Sequence, residues 1–167
     1  MRFIFFLVII LLSCEKSVQP IYHIGSEKIV EVKGVRVEWT DGKNKVSAFP
    51  DEVTYLYNTG DAFFSSLTGV ITNPSGKMYF VKAERGIYRD KSREGEAEIV
   101  EVKTENGYFK GDYLLSIFSS PLTIIVNRCV GNYGRFTISA EECRFFTEEE
   151  ISIFSGNVRG TVYEVKK

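Results

Sequence analysis

Thiols and imidazoles carry most side-chain chemistry near neutral pH, and this 167-residue chain holds few: Cys14, Cys129, Cys143 and a single histidine, His23. One imidazole supplies at most one general base or one metal ligand. His23 stands in residues 14–26, a stretch with Pro20, Gly25 and Ser26 and no apolar alternation, which predicts a tether rather than a site. Four carboxylates recur at similar positions, Asp51, Glu84, Asp112 and Glu141. Their spacing of about thirty residues assigns them to separate hairpins as turn or edge residues, and only a meeting of two in space, as in a glycosidase, makes an acid/base pair. The sequence contains no Gly-rich phosphate loop, nucleophile elbow or Cys-x-x-Cys motif. A non-enzymatic protein without cofactor or metal is expected.

Cys14 has a different context. Arg2 precedes ten uninterrupted apolar residues, Phe3 to Leu12, then the small Ser13 and the cysteine. A spanning helix needs about 20 apolar residues, so this run, followed at once by Glu15 and Lys16, reads as an export signal over residues 1–13 rather than a stop-transfer anchor. Leu11-Leu12-Ser13-Cys14 resembles the bacterial lipobox, which implies cleavage before Cys14 and acylation of the new N-terminus. Two acyl chains suffice for stable anchoring, so Cys14 is the expected lipid anchor. The competing readings are an ordinary signal cut elsewhere and a short uncleaved anchor.

Residues 27–167 have the length of one domain. Across the chain 21 Lys and Arg face 22 Asp and Glu, with no basic cluster beyond Lys166-Lys167, which argues against a nucleic-acid partner. Export places Cys129 and Cys143 where disulfides persist, so a bridge is open to them without being implied. A simple hairpin turning near Asn132 and Tyr133 sets Cys129 opposite Phe136 and Cys143 opposite Leu122. A bridge needs Cα atoms within about 7 Å, and that register predicts two unbridged cysteines.

These residues must be positioned by strands. Turn signals at Asp41-Gly42, Asn58-Thr59-Gly60, Asn73-Pro74-Ser75-Gly76, Asn106-Gly107 and Gly156-Asn157 separate segments rich in Val, Ile, Tyr, Phe and Thr. Alternation predicts one apolar face per strand: Val35, Val37 and Trp39; Tyr79, Val81 and Ala83; Phe109, Tyr113, Leu115 and Ile117; Leu122, Ile124 and Val126; Phe136, Ile138 and Ala140. That face is either a packed core or the lining of an apolar groove. Ser139-Ala140-Glu141-Glu142 also fits a helical capping box, so a short helix competes with a strand there.

The four carboxylates belong to a weak repeat, PDEVTY (50–55), AERGIY (83–88), GDYLLS (111–116) and AEECRF (140–145). A period near thirty with two strands per unit predicts stacked hairpins, none able to bury its apolar face alone. TGVITNPSGKMYFVKAERGIY and the ending FSGNVRGTVYEV resemble the repeats of the OstA-like family of lipopolysaccharide-transport proteins, and LptC most. The resemblance covers residues 29–165, and the expected lipidated Cys14 stands where many LptC proteins carry a transmembrane helix.

It implies an all-β fold of antiparallel stacked hairpins, an open, twisted two-sheet V of the OstA-like β-jellyroll kind. It also implies a periplasmic role at the inner membrane, with the outer membrane as the alternative location. There the protein receives lipopolysaccharide from the ABC transporter (LptF and LptG, with LptB) and passes it to the bridge protein LptA. Under this reading the groove is lined by Val37, Trp39, Tyr79, Val81, Phe109, Tyr113, Leu115, Ile124, Phe136 and Ile138. The N-terminal strand, Val30 to Trp39 with Val35 at its edge, faces the transporter; the C-terminal strands, Ile151 to Val165 with Val158 and Val162, face LptA. The alternatives are a LolB-like lipoprotein carrier, an LptA-like bridge segment and a structural lipoprotein with a filled sandwich.

Overall fold

The computed structural model describes residues 22–24, 27–41, 43–118 and 121–162. Cys14 and the expected signal lie outside the described residues, as do residues 163–167. Thirteen strands follow in order: β1 (Tyr22–Ile24), β2 (Glu27–Lys33), β3 (Val37–Asp41), β4 (Asn44–Phe49), β5 (Glu52–Leu56), β6 (Asp61–Thr72), β7 (Met78–Arg89), β8 (Glu94–Lys103), β9 (Gly107–Ile117), β10 (Thr123–Tyr133), β11 (Phe136–Phe146), β12 (Ile151–Ser155) and β13 (Arg159–Val162). All pair antiparallel within one sheet that does not close into a barrel. The expected all-β class holds, and the capping box at Ser139 to Glu142 is strand, inside β11. β1 falls within the stretch read as a tether and pairs with β2 through Tyr22 and Ile29.

One line of backbone crosses the whole sheet. Ser66 in β6, Ile99 in β8 and Arg128 in β10 have φ of 48°, 52° and 50°, and Gly34 and Gly156, between β2 and β3 and between β12 and β13, have 63° and 69°. On the intervening strands the ladder is interrupted beside Asp51, Glu84, Asp112 and Glu141. Pairing steps from Ser65↔Arg85 to Leu67↔Ala83, from Glu98↔Tyr113 to Val100↔Gly111, and from Asn127↔Glu142 to Cys129↔Ala140. The four repeat carboxylates therefore mark a crease, and all four are exposed along it. An L-residue in the left-handed region costs roughly 1–2 kcal/mol, and it bends the strand as a bulge does. At Gly156 a side chain is barred twice over, by its φ and by the Glu141 carboxylate, 2.3 Å from where a Cβ would stand.

The crease divides the sheet into two leaves. The first holds β3, β4, the near halves of β6 to β11, and β13; the second holds β1, β2, β5, the far halves of β6 to β11, and β12. The expected strand Val30 to Trp39 is broken at the crease into β2 and β3, one per leaf, and the C-terminal strands expected from Ile151 onward are β12 and β13, likewise one per leaf.

Inward parity also switches there. Inward residues run Phe109 then Leu114 and Ser116 in β9, Val102 and Val100 then Ala97 in β8, and Cys129 then Val126 and Ile124 in β10. The assignment of Tyr113, Leu115 and Ile117 to the face of Phe109 is thus corrected: the three lie on the outer face, and Leu114 and Ser116 take the inner positions.

Folding at the crease lays the leaves face to face. Val102, Phe109, Leu122, Ile124, Val126, Cys129, Cys143 and Phe145 are fully enclosed. The expectation of unbridged cysteines is overturned: Cys129 and Cys143 form a disulfide with Cα atoms 6.1 Å apart. Two facts defeat the simple hairpin. The turn lies at Gly134 and Arg135, pairing Tyr133 with Phe136, so Cys129 meets Ala140 and Cys143 meets Val126. The crease then folds these offset positions, one on each leaf, toward each other.

Replacing both cysteines by alanine should lower the unfolding free energy in urea by about 3 kcal/mol, given a separation of 14 residues. An unchanged midpoint would show that the bridge does not tie the leaves. Ile99, 57% exposed in its left-handed conformation, gives up little burial on replacement. Ile99→Gly should therefore raise stability by about 0.5–1 kcal/mol in the same titration, and a loss would argue against the crease geometry.

Candidate functional site

The space between the leaves is the site the expected function requires, and aromatic side chains fill it at two places. Toward the N-terminal end, Trp39 of β3 packs on Tyr88 at 6.3 Å and Phe118 at 5.5 Å, between ring centroids. Toward the C-terminal end, Phe109 meets Phe145 at 5.3 Å and Phe154 at 5.5 Å, with Tyr133 5.8 Å from Phe154. Ring pairs of this kind add about 0.5–1.5 kcal/mol to the burial of their area. The close approach of Phe109 requires Gly131, whose Cβ would lie 2.6 Å from the ring.

The expected lining residues divide into three groups. Tyr79, Val81, Phe109 and Ile124 are buried between the leaves, Phe109 and Ile124 completely. Val37, Trp39 and Ile138 are half-buried on the inner side of the first leaf, and Phe136 reaches its rim 48% exposed, opposite Val162 of β13. Tyr113 and Leu115 lie outside the wedge. The Tyr113 hydroxyl donates a hydrogen bond to the Glu96 carboxylate, and desolvation followed by that carboxylate pushes its pKa up to about 12.

Opposite the crease a polar clasp joins the leaves. Asn73 builds the β6–β7 turn, its Oδ1 accepting from the Lys77 amide at 2.8 Å and from the Ser75 hydroxyl at 2.8 Å. Its Nδ2 crosses to the second leaf and donates to the Thr147 carbonyl at 2.9 Å and to Glu150 Oε1 at 3.3 Å. Asn44, at the start of β4, donates from Nδ2 to Glu148 Oε1 at 3.1 Å. The Thr147 hydroxyl lies 3.1 Å from Asn44 Oδ1 and 3.1 Å from the Leu122 carbonyl, sharing one proton between them. Lys77 donates to Glu150, and the Ser75 hydroxyl shares its one proton between Glu150 and Asn73 Oδ1. Asn44, Asn73 and Thr147 are buried, so each depends on these partners; a buried polar group left unpaired costs about 1–3 kcal/mol.

Sequence reasoning recognised Asn73-Pro74-Ser75-Gly76 as a turn but missed the clasp. Its partners lie 73 to 104 residues apart along the chain, beyond the reach of any local motif.

The C-terminal end of the sheet is open and apolar. Ile151, Ile153, Val158 and Val162, on or beside the edge strands β12 and β13, are 46–59% exposed, as Phe136 is at 48%. Val35, the other expected edge residue, is half-buried in the break between β2 and β3. Among the described residues no helix is long and apolar enough to cross a membrane. Compared with known proteins, the chain matches no family model and no curated protein. The likeness to the OstA-like family therefore rests on the repeat motifs.

The ammonium of Lys77, then the Ser75 hydroxyl, holds the Glu150 carboxyl at about 2, below the ordinary 4.5. A folded-state pKa below the unfolded one stabilises above 4.5, and that contribution is lost as pH falls from 4.5 toward 2. The drop in urea midpoint over this range should therefore be smaller in Glu150→Gln than in the parent protein. Equal drops would show that the carboxylate contributes nothing to closure.

Proposed function

We propose that this chain is a non-enzymatic component of lipopolysaccharide export, held by acylated Cys14 at the periplasmic face of the inner membrane. It takes acyl chains between its two leaves and passes them to LptA. The observation that carries this reading is the mode of closure: an apolar interior lies between leaves continuous through the crease and joined opposite it by the clasp of Asn44, Asn73, Thr147 and Glu150. Releasing a few polar contacts at that rim widens the wedge without breaking a strand ladder. Hydrocarbon entering there replaces one apolar neighbour by another, each Å² kept from water contributing about 25 cal/mol.

The apolar C-terminal edge supports hand-over to a partner that adds a strand. In this reading β12 and β13 face LptA, while β2 and β3 face LptF and LptG, with LptB behind them. A second reading, a structural lipoprotein with a filled sandwich, is favoured by one observation: Phe109 and Ile124 are fully enclosed. The two differ in whether the leaves part.

A photo-cross-linking amino acid at Phe136 or Tyr79 should yield a lipopolysaccharide adduct when LptB, LptF and LptG hydrolyse ATP, and none without ATP. Asn73→Ala should increase the adduct severalfold. No adduct at either position under turnover would favour the filled sandwich. In the same membranes cross-linkers at Val158 and Val162 should capture LptA and one at Val35 LptF or LptG; the opposite pattern reverses the polarity.

A further inference from the structure

The two leaves differ in the charge of their outer faces. Between the crease and the rim, the first leaf turns outward Arg36, Lys45, Lys82, Lys103, Lys110 and Arg159 against Glu38 and Glu101. Both carboxylates are already paired, Glu38 with Arg36 and Glu101 with Lys110. Lys45, Lys82, Lys103 and Arg159 have no carboxylate within 4 Å among the described residues. The carboxylates of the crease bound this face where the sheet turns away, Asp112 paired with Arg128. The second leaf has the opposite balance, with Asp61, Glu94, Glu96, Glu98 and Glu142 outward against Arg85, Arg89 and Arg144.

Apolar side chains stand among the first leaf's cations. Phe49, Met78, Phe80 and Val130 are 38–53% exposed there. The register sets Lys103 between Phe80 and Tyr108 and Lys110 opposite Val130, and the Arg36 guanidinium lies over the Phe49 ring, 5.3 Å from its centroid. Cationic stems laid along apolar surface, with hydrated heads beside half-exposed rings, match the boundary of an anionic bilayer. Lipid phosphates meet the ammonium and guanidinium heads, and the rings enter at the level of the headgroups.

This attraction reaches only about 10 Å at 0.1 M salt, so the chain must be held near the membrane. The anchor proposed at Cys14 does that. Eight residue steps separate Cys14 from Tyr22, a reach of at most roughly 26–29 Å. β1 belongs to the second leaf, and packed sheets lie about 10 Å apart, so this reach lets the outer face of the first leaf meet the bilayer. A tether so short raises the effective concentration of headgroups at the basic face, while the acidic face is repelled.

We propose that the outer face of the first leaf lies against an anionic bilayer, with the second leaf turned to solvent. The orientation rests on the acylated Cys14 proposed above and is independent of whether lipid passes between the leaves. Phe80 on the first leaf and Phe63 on the outer face of the second are 41% and 44% exposed, a matched pair of positions. The full oxidised chain, purified from membranes and reconstituted in phosphatidylethanolamine–phosphatidylglycerol vesicles, carries a photo-cross-linking amino acid at one or the other.

The phospholipid adduct at 80 should exceed that at 63 at least threefold in low salt. The excess should fall to near parity at 1 M salt, where charges are screened beyond about 3 Å, and in low salt when Lys82→Glu and Lys103→Glu are combined. Equal yields in low salt, an excess at 63, or an excess at 80 that neither salt nor charge reversal reduces overturns the proposal. Cross-links at 80 to a second copy in place of lipid overturn it too. The mass of the same purified chain reads acylation separately: an acylated Cys14 with equal yields overturns the orientation alone, and a chain without acyl groups overturns the anchor and the orientation together.

Discussion

An extended L-polypeptide keeps its side chains alternating and its strand direction nearly constant, and a sheet of thirteen such strands would leave its apolar face without a partner. The resolution in this chain is a single line of backbone reversal. At Gly34, Ser66, Ile99, Arg128 and Gly156, in every second strand, φ turns positive, and the strands between carry Asp51, Glu84, Asp112 and Glu141 at the same level. Three of these crease residues, Ser66, Ile99 and Arg128, are not glycine, so the surrounding ladders must hold them in a conformation they would otherwise avoid. Everything else follows from this bend: the leaves face each other, the inward parity flips, and the two cysteines meet.

The interior closes by different chemistry on its different sides. Along the crease it is closed by covalent chain and a disulfide; in the middle by rings from both leaves; at the rim by amide, hydroxyl and carboxylate groups. These differ in how readily they part. Apolar packing is non-directional and reforms around any hydrocarbon, whereas the clasp depends on a few distances and angles and is lost when one partner moves. A fold stitched along one side and clasped along the other has one soft direction of motion. That direction widens the apolar wedge.

Much of this was legible from the residues and some was not. The strand character of nearly every segment followed from alternation and turn chemistry, and the thirty-residue period of the carboxylates correctly located repeating units. What the period marked was hidden, because a carboxylate at a crease and one at a hairpin edge have the same local sequence. Ser65-Ser66, Glu84-Arg85, Asn127-Arg128 and Glu141-Glu142 are polar doublets inside otherwise alternating strands, and they signal the phase change. Overlooking that signal put Tyr113 and Leu115 on the wrong face while Phe109 was right. The disulfide and the clasp were beyond reach for a different reason: both join positions that only a folded-over sheet brings together.

The central claim is the crease itself, and nuclear magnetic resonance reads it directly in the intact oxidised protein. Backbone shifts and amide–Hα couplings at Ser66, Ile99 and Arg128 should report positive φ. Cross-strand contacts should be strong at Leu67 to Ala83 and Ser65 to Arg85 yet missing at Ser66 to Glu84, with the same gap recurring from strand to strand up to Glu141. Extended φ at those three residues, with unbroken contacts along every strand pair, would contradict the account.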